Sequence, residues 1–421
     1  MEFLVTVQSH HPRSGLSAHD AALAAAPDGQ QSGKYTALYE QHKKANASFT
    51  DFGGWQMPLK YESELAEHHA VRKSAGLFDL SHMGEVWVTG PDAAAFLDYA
   101  LAGKLSGIPV GKAKYSLICN ADGGIIDDLI TYRRPSPQES VDKYLVVPNA
   151  GNAAAVAAAL QERAAGFDVM VEDASAETSL IAVQGPAAEA ILLALVPEED
   201  HGLVRELKYY AAVEVPLTFD GGPQHLLVAR TGYTGEDGFE IYLSAVDAPR
   251  LWEALLGAGE GHGLIPAGLA ARDSLRLEAG MPLYGNELTR HINAYTAGLG
   301  SVVSLTKDSD FIGKDALAAI KAAGVGSALG QKLVGLKGVG RRAARSHYAV
   351  LKNGSLIGEV TSGQPSPTLG YPIALAYVDV EHSAPGTTVE VDLRGKAEPF
   401  EVVQLPFYRR QKQANQKTGT K

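Results

Sequence analysis

The sequence predicts an α+β fold of two lobes followed by a small barrel-like β domain, and three observations carry that prediction. Strands and helices alternate through most of the chain without the regular crossover rhythm of a doubly wound sheet, which favours an α+β build. One strand-Gly-Pro-helix unit occurs twice, as EVWVTGPDAAAFLDYA from Glu85 and SLIAVQGPAAEAILLA from Ser179, and reads either as an internal repeat or as the same turn arising twice independently. After about Gly324 the character changes to short strands separated by turns, among them Asn353-Gly354, a strong hairpin signal.

In chain order, residues 1–33 read as a loosely ordered extension, and the opening MEFLVTVQSHHPRSG lacks the basic and long apolar regions of a secretory signal. YESELAEHHAVRKSAG, Tyr61 to Gly76, spaces Leu65, His69, Val71 and Arg72 as a helix stopped by glycine. Within it, the adjacent Glu67, His68 and His69 diverge around the helix and cannot converge on one metal, so they read as a solvated face. KYSLICNADGGIIDDLITYR and KYLVVPNAGN follow as strands of an antiparallel meander, and NAAAVAAALQERAAG as a helix. Further helices are expected at VDAPRLWEALLGAG, GLAARDSLRLEAG and GKDALAAIKAAG. These segments make up an α+β region over residues 34–323. The strands KLVGLKG, YAVLKNGSLIGEVTSG, IALAYVDV, TVEVDLRG and PFEVVQL build the barrel domain of 324–410, and 411–421 are a polar tail.

At 421 residues the chain can hold about two or three domains, and its 45% hydrophobic and 20% charged residues are ordinary for a globular protein. No apolar run reaches the ~20 residues of a membrane helix. The net charge of −11 argues against nucleic acid as the main partner. The composition still leaves room for a local basic patch at Arg341, Arg342 and Arg345 or at Arg409 and Arg410; the first cluster reads as a solvated loop, with an acidic carrier as the alternative contact. The single cysteine, Cys119, excludes a disulfide framework and multi-cysteine zinc sites, which points to a reducing, cytoplasmic interior. It reads as a buried strand residue. No dinucleotide fingerprint, phosphate-binding loop, serine elbow or zinc-protease spacing is present.

Three stretches could carry chemistry. In GGIIDDLITYR, successive strand residues face opposite ways, so Asp127 and Asp128 cannot both be surface charges on one side. One aspartate should face inward, where it needs a partner or a function. RTGYTGEDGFE, Arg230 to Glu240, is a glycine-shaped loop entering a strand. Either Tyr233 and Glu240 read a ligand there or it is a tight hairpin with surface polar residues. Arg272 and Arg276 share a helix face at i, i+4; they recognise carboxylates or pair with Asp273 and Glu278.

Seven blocks, in order from about Leu38 to Arg410, resemble the aminomethyltransferase, or T protein, family of the glycine cleavage system. They are GGWQMPLKY, GLFDLSHMGE, KYSLICNADGGIIDDLI, RTGYTGEDGFE, GLAARDSLRLEAGMPLYGNEL, IGEVTSG and PFYRR. The resemblance implies a three-domain ring around a central folate cavity, with residues 34–323 as two intertwined lobes. It implies a tetrahydrofolate-dependent reaction in which a lipoylated H protein presents an aminomethyl group. Ammonia is released and the one-carbon unit moves to folate as 5,10-methylenetetrahydrofolate.

On this resemblance Asp128 is the catalytic carboxylate and Asp127 is structural. Tyr115 and Glu240 are folate contacts, Arg272 and Arg409 lie around the folate's anionic end, and Met83 and Tyr233 line the pocket. The chain departs from the family pattern in TRHINAYTAGLGSVVSL, where Ser301 replaces a bulky aromatic and puts local cavity packing in doubt. Relatives of this fold also include folate-dependent demethylases and non-catalytic folate-binding accessory proteins. Asp128 together with Glu240, Arg272 and Arg409 favours the transferase.

Overall fold

The computed structural model describes residues 33–324 and 330–410. The expectations for 1–32 and for the tail 411–421 lie outside the described residues. Helix α1 (Tyr39–Lys44) leads into a hairpin of β1 (Ser48–Phe52) and β2 (Trp55–Lys60). Helix α2 (Glu64–Lys73) begins at Ser63, whose hydroxyl accepts from the Ala66 N–H at 3.3 Å, a side-chain N-cap. The helix is shorter than its periodicity suggested. Gly76 lies inside the next strand, β3 (Ala75–Asp79), where a Cβ would stand 2.5 Å from Val71. That glycine permits close helix-on-strand packing and is no helix stop.

The first lobe runs through β4 (Val86–Gly90), α3 (Ala93–Ala100), β5 (Ala113–Cys119), β6 (Ile125–Arg134), β7 (Asp142–Val147), α4 (Ala153–Arg163) and β8 (Met170–Asp173). The second runs through β9 (Thr178–Gln184), α5 (Ala188–Leu193), α6 (His201–Arg205), β10 (Ala212–Phe219), β11 (Gly222–Ala229), β12 (Gly238–Ser244), α7 (Ala248–Gly259) and β13 (Leu264–Pro266). The first sheet has the order β5-β6-β7-β4-β8, and the second β10-β11-β12-β9-β3-β13. Shifted by five, the orders coincide except that β3, which precedes the first lobe in the chain, is inserted into the second sheet. The sequence repeat is thus a structural one, and β3 is the thread that intertwines the lobes. The β10–β11 hairpin and the β1–β2 hairpin had not been read from the sequence.

Each lobe packs helices on its outer face. Phe96, Leu97, Val156 and Leu160 cover the first sheet, and Ile191, Leu251, Trp252 and Leu255 the second. The inner faces meet through Tyr132, Leu145 and Val147 against Leu180, Ala182 and Tyr242. Helix α8 (Leu269–Glu278) then passes between the lobes and the barrel, and α9 (Lys314–Ala323) closes the lobe region, its Leu317 packing with Cys119 and Ile125.

The C-terminal domain is a closed six-stranded barrel of β14 (Gln331–Gly338), β15 (Ala349–Lys352), β16 (Ser355–Pro365), β17 (Pro372–Asp379), β18 (Thr388–Asp392) and β19 (Ala397–Val403), in the order β14-β17-β16-β15-β18-β19. Asn353 and Gly354 both take positive φ, 51° and 79°, as a tight hairpin turn whose twist matches the flanking strands requires. Val334, Leu336, Val360, Val391 and Phe400 fill the barrel, and Ile373, Leu375 and Tyr377 pack outward on Leu277 of α8.

The polar stretch of α2 is a correction. Glu67 and His68 are buried, while Leu65 is exposed, because the helix turns its polar face into the seam against α8 and the barrel. Glu67 accepts the Gly268 and Tyr61 backbone N–H groups at 2.9 and 2.8 Å. Buried polar groups of this kind are tolerated because they are bonded.

Candidate active site

Strand β6 carries Asp127 and Asp128 past the end of its pairing with β7, which stops at Ile130–Val147. The chain leaving β7 folds over them and places Asn149 between the two carboxylates. Its Nδ2 donates to Asp127 Oδ1, Asp128 Oδ1 and the Asp128 carbonyl, each at 2.9 Å. Asp127 also receives the Asn149 N–H at 2.8 Å and Asn152 Nδ2 at 2.7 Å, and it is fully buried. Asp128 accepts the Tyr115 hydroxyl at 2.9 Å and lines the cavity. The alternation argument holds for direction, since Asp128 lies on the side of Ile130 and Tyr132 while Asp127 lies on the side of Leu129. It fails in leaving Asp127 outside: both carboxylates are enclosed. Burial raises both above the usual carboxylate range. The neighbouring Asp128 charge adds to the effect at Asp127, and bonds from Asn149 and the others oppose it.

The cavity, about 320 Å³, lies between the two inner sheet faces. From the second lobe β12 contributes Glu240, on the face opposite Phe239, which is buried in the outer core. Thr231 donates to Glu240 Oε2, and Tyr132 stands 3.0 Å from the Thr231 hydroxyl. This hydroxyl chain ties β6 of one lobe to the Glu240 carboxylate of the other. Burial raises Glu240, with the Thr231 bond and the Arg272 charge opposing.

RTGYTGEDGFE lines the cavity, and it is no tight hairpin: residues 230–237 form an open loop between β11 and β12. Tyr233 lines the cavity and donates to the Pro282 carbonyl at 2.5 Å, while Arg230 pairs with Asp237 and Glu189. A Cβ at Gly232 would lie 2.0 Å from Gln184, so the loop needs glycine to pass.

The two arginines of α8 separate. Arg276 is buried and fully paired, to Asp273 and Glu287 as ion pairs and to Ser362 Oγ of the barrel at 2.8 Å. Arg272 has no carboxylate within ion-pair distance among the described residues. Its guanidinium lies 4.9 Å from the centre of the Tyr233 ring and lines both the first cavity and a second one of about 420 Å³. Phe52, Tyr233, Arg272 and Leu283 are common walls of the two.

Of the residues singled out in the sequence, the structure brings together Asp128, Tyr115, Glu240, Arg272, Met83 and Tyr233. Arg409 is not among them: it is exposed beyond Tyr408, whose own hydroxyl donates to Glu236. Ser301 is exposed as well, and its neighbour Leu299 supplies the wall there. Sequence reasoning missed Asn149, Thr231 and His82. The first sits immediately after a strand in VVPNAGN, a position from which a loop side chain reaches neighbouring strand ends. No groups of three or more His, Cys, Asp or Glu able to hold a metal occur among the described residues.

A family model described as the GCVT N-terminal domain matches residues 38–307, and one described as the glycine cleavage T-protein C-terminal barrel domain matches 331–409. Aminomethyltransferases of Streptomyces avermitilis and Streptomyces coelicolor are each 55% identical, over 90% of this chain and 98% of theirs. The crystal structure of the glycine cleavage system aminomethyltransferase T from Bartonella henselae superposes with a TM-score of 0.80 at 39% identity, covering 90% of this chain and 98% of that one. The two-lobe fold, the barrel and these likenesses over nearly the whole matched length agree, and the chain belongs to the aminomethyltransferase family of the glycine cleavage system, a family of tetrahydrofolate-dependent transferases.

Proposed function

We propose that the cavity holding Asp128, Tyr115, Glu240 and Arg272 binds tetrahydrofolate as cosubstrate and receives an aminomethyl group from the lipoyl arm of an H protein, in the cytoplasm. The products are 5,10-methylenetetrahydrofolate, ammonia and the reduced lipoyl arm. The observation that carries this reading is the charge pattern of the cavity. Two acceptor carboxylates and one arginine without a carboxylate partner face a space whose walls also include Met83, Tyr233, Leu283 and Leu299. A flat heterocycle with N–H donors and an anionic tail presents the complementary set.

Glu240, held by Thr231, accepts from the ring N–H groups. Arg272 offers its guanidinium to an anionic group, and its planar fork suits a carboxylate. Tyr115 and Asn149 hold Asp128 from behind, leaving its remaining lone pairs toward the cavity. There the carboxylate orients the reacting nitrogens and stabilises positive charge that develops on the one-carbon unit. Arg409 does not line the cavity and takes no part in this proposal. The raised pair is also suited to hold a proton transiently as ammonia departs.

The test supplies aminomethylated lipoyl H protein with and without tetrahydrofolate and follows ammonia and methylenetetrahydrofolate together. Folate-dependent formation of both supports the transferase. Folate binding without either product sinks it in favour of a demethylase or accessory role.

A further inference from the structure

Three histidines are buried among the described residues: His42, His68 and His82. The first two are satisfied at both nitrogens. His42 sits 2.8 Å from Asp79 and 2.9 Å from the Tyr61 hydroxyl, and His68 sits 2.6 Å from Ser274 and 2.8 Å from Thr368. His82 is the exception. It is 2% exposed and has no hydrogen bond at either nitrogen among the described residues. Its one ring contact among the described residues is edge-on to Phe52, at 5.6 Å between centroids. It lines the same cavity as Asp128, Glu240 and Arg272.

Nδ1 is sealed in protein without a partner, whereas Nε2 has no protein partner and is not sealed, so the contents of the cavity can complete it. Unpaired buried N–H groups are rarer than unpaired acceptors, so the tautomer that fits carries its hydrogen on Nε2 and leaves the lone pair on Nδ1. Burial drives the imidazole pKa down to about 4, with the Arg272 charge adding and Asp79 opposing. The ring is therefore neutral near pH 7. Cavity-facing carboxylates can only accept and Arg272 prefers an anion, so a neutral donor is a function those three residues do not supply.

We infer that His82 is a ligand-contacting residue of the cavity, its Nε2–H donating to a neutral acceptor atom of the bound folate or to the sulfur of the aminomethyl donor. The inference rests on the folate reading of the cavity above. Those two acceptors are separable, because folate affinity can be measured without any donor present.

The experiment compares wild-type protein with His82→Leu, His82→Gln and His82→Asn. Tetrahydrofolate affinity is measured by titration, KM for the aminomethylated H protein by steady-state kinetics, and the melting temperature on ligand-free protein. Glutamine places its amide N–H near the Nε2 position and asparagine near Nδ1. The expected result is a ~10-fold or greater weakening in His82→Leu and His82→Asn with recovery toward wild type in His82→Gln, while the free His82→Leu protein melts at or above the wild-type temperature. Weakened folate titration assigns the acceptor to folate, and an effect confined to the donor KM assigns it to the sulfur. Unchanged affinity and KM in a folded His82→Leu protein overturn the inference. A lowered melting temperature with unchanged affinity and KM overturns it too, by making His82 a packing residue. Wild-type protein that binds no folate refutes the reading of the cavity instead, and does so before any variant is compared.

Discussion

The seam between lobes and barrel and the cavity between the lobes are both rich in buried charge, yet they treat it in opposite ways. In the seam every main charge is answered. Glu278 receives Arg72 at 2.7 Å and the Thr368 N–H at 2.9 Å, as well as the Ser366 hydroxyl, and Arg276 is clasped by Asp273, Glu287 and Ser362. One turn away on the same helix, Arg272 has no carboxylate among the described residues, and Asp128, Glu240 and His82 turn unsatisfied capacity toward the same space. Satisfied networks fix one arrangement of parts, whereas unsatisfied groups persist where a ligand completes them. Arg272 and Arg276 show how one sequence motif, two arginines a turn apart, serves both ends.

The largest expected effect lies on the cavity side. Asp128→Asn keeps the shape and the Asn149 and Tyr115 neighbours but removes the charge, and turnover should fall by ~10² to 10⁴-fold. Steady-state ammonia release reads this directly, and a loss under ~10-fold would place the carboxylate outside the chemistry. On the seam side the expected cost is in stability. Glu287→Ala leaves buried Arg276 facing Met281 and Ser362 without its interior carboxylate, and chemical denaturation should show a loss of about 3–5 kcal/mol. Wild-type stability in that variant would break the contrast.

Arg272→Gln is smaller. It removes the charge and not the helix, so folate affinity should drop by ~10 to 100-fold in a titration, with unfolding changed by less than about 1 kcal/mol. A destabilised protein with intact folate affinity would make Arg272 a seam residue like Arg276.

The smallest effect is a pH dependence with a definite sign. Asp127 and Asp128 are raised in the folded state, so their contribution to stability is greatest below the unfolded carboxylate range, ~4, and declines as pH rises toward neutrality. Asp128→Asn removes one of the two like charges. Its stability relative to wild type should therefore increase between pH 4.5 and 7.5, by on the order of 1–2 kcal/mol, as read by denaturation at both pH values. A relative stability that is flat or falls over this range would mean that the pair is not mutually strained.

The fold was legible where local chemistry is strong. Alternation marked β5, β6 and β7, Asn353-Gly354 marked its hairpin, and the strand-Gly-Pro-helix repeat exposed the duplication that the two sheet orders share. The site was legible through the ordered blocks that carry Asp128, Tyr115, Glu240 and Arg272. What stayed hidden depends on long-range meetings. Asn149 lies 21 residues beyond Asp128, and its bridge exists only because β7 stops short of β6. His68 is spaced like a surface residue, and only the packing of α2 on α8 buries it. His82 is a single histidine in GLFDLSHMGE, and nothing local shows that its nitrogens lack protein partners.

The central claim is that Asp128 acts on the transfer and not on holding folate. It is tested most directly by measuring tetrahydrofolate affinity and ammonia release side by side in Asp128→Asn and wild-type protein. The account predicts affinity within about threefold of wild type and turnover lower by at least ~100-fold. Turnover retained, or lost only in proportion to folate affinity, would contradict it.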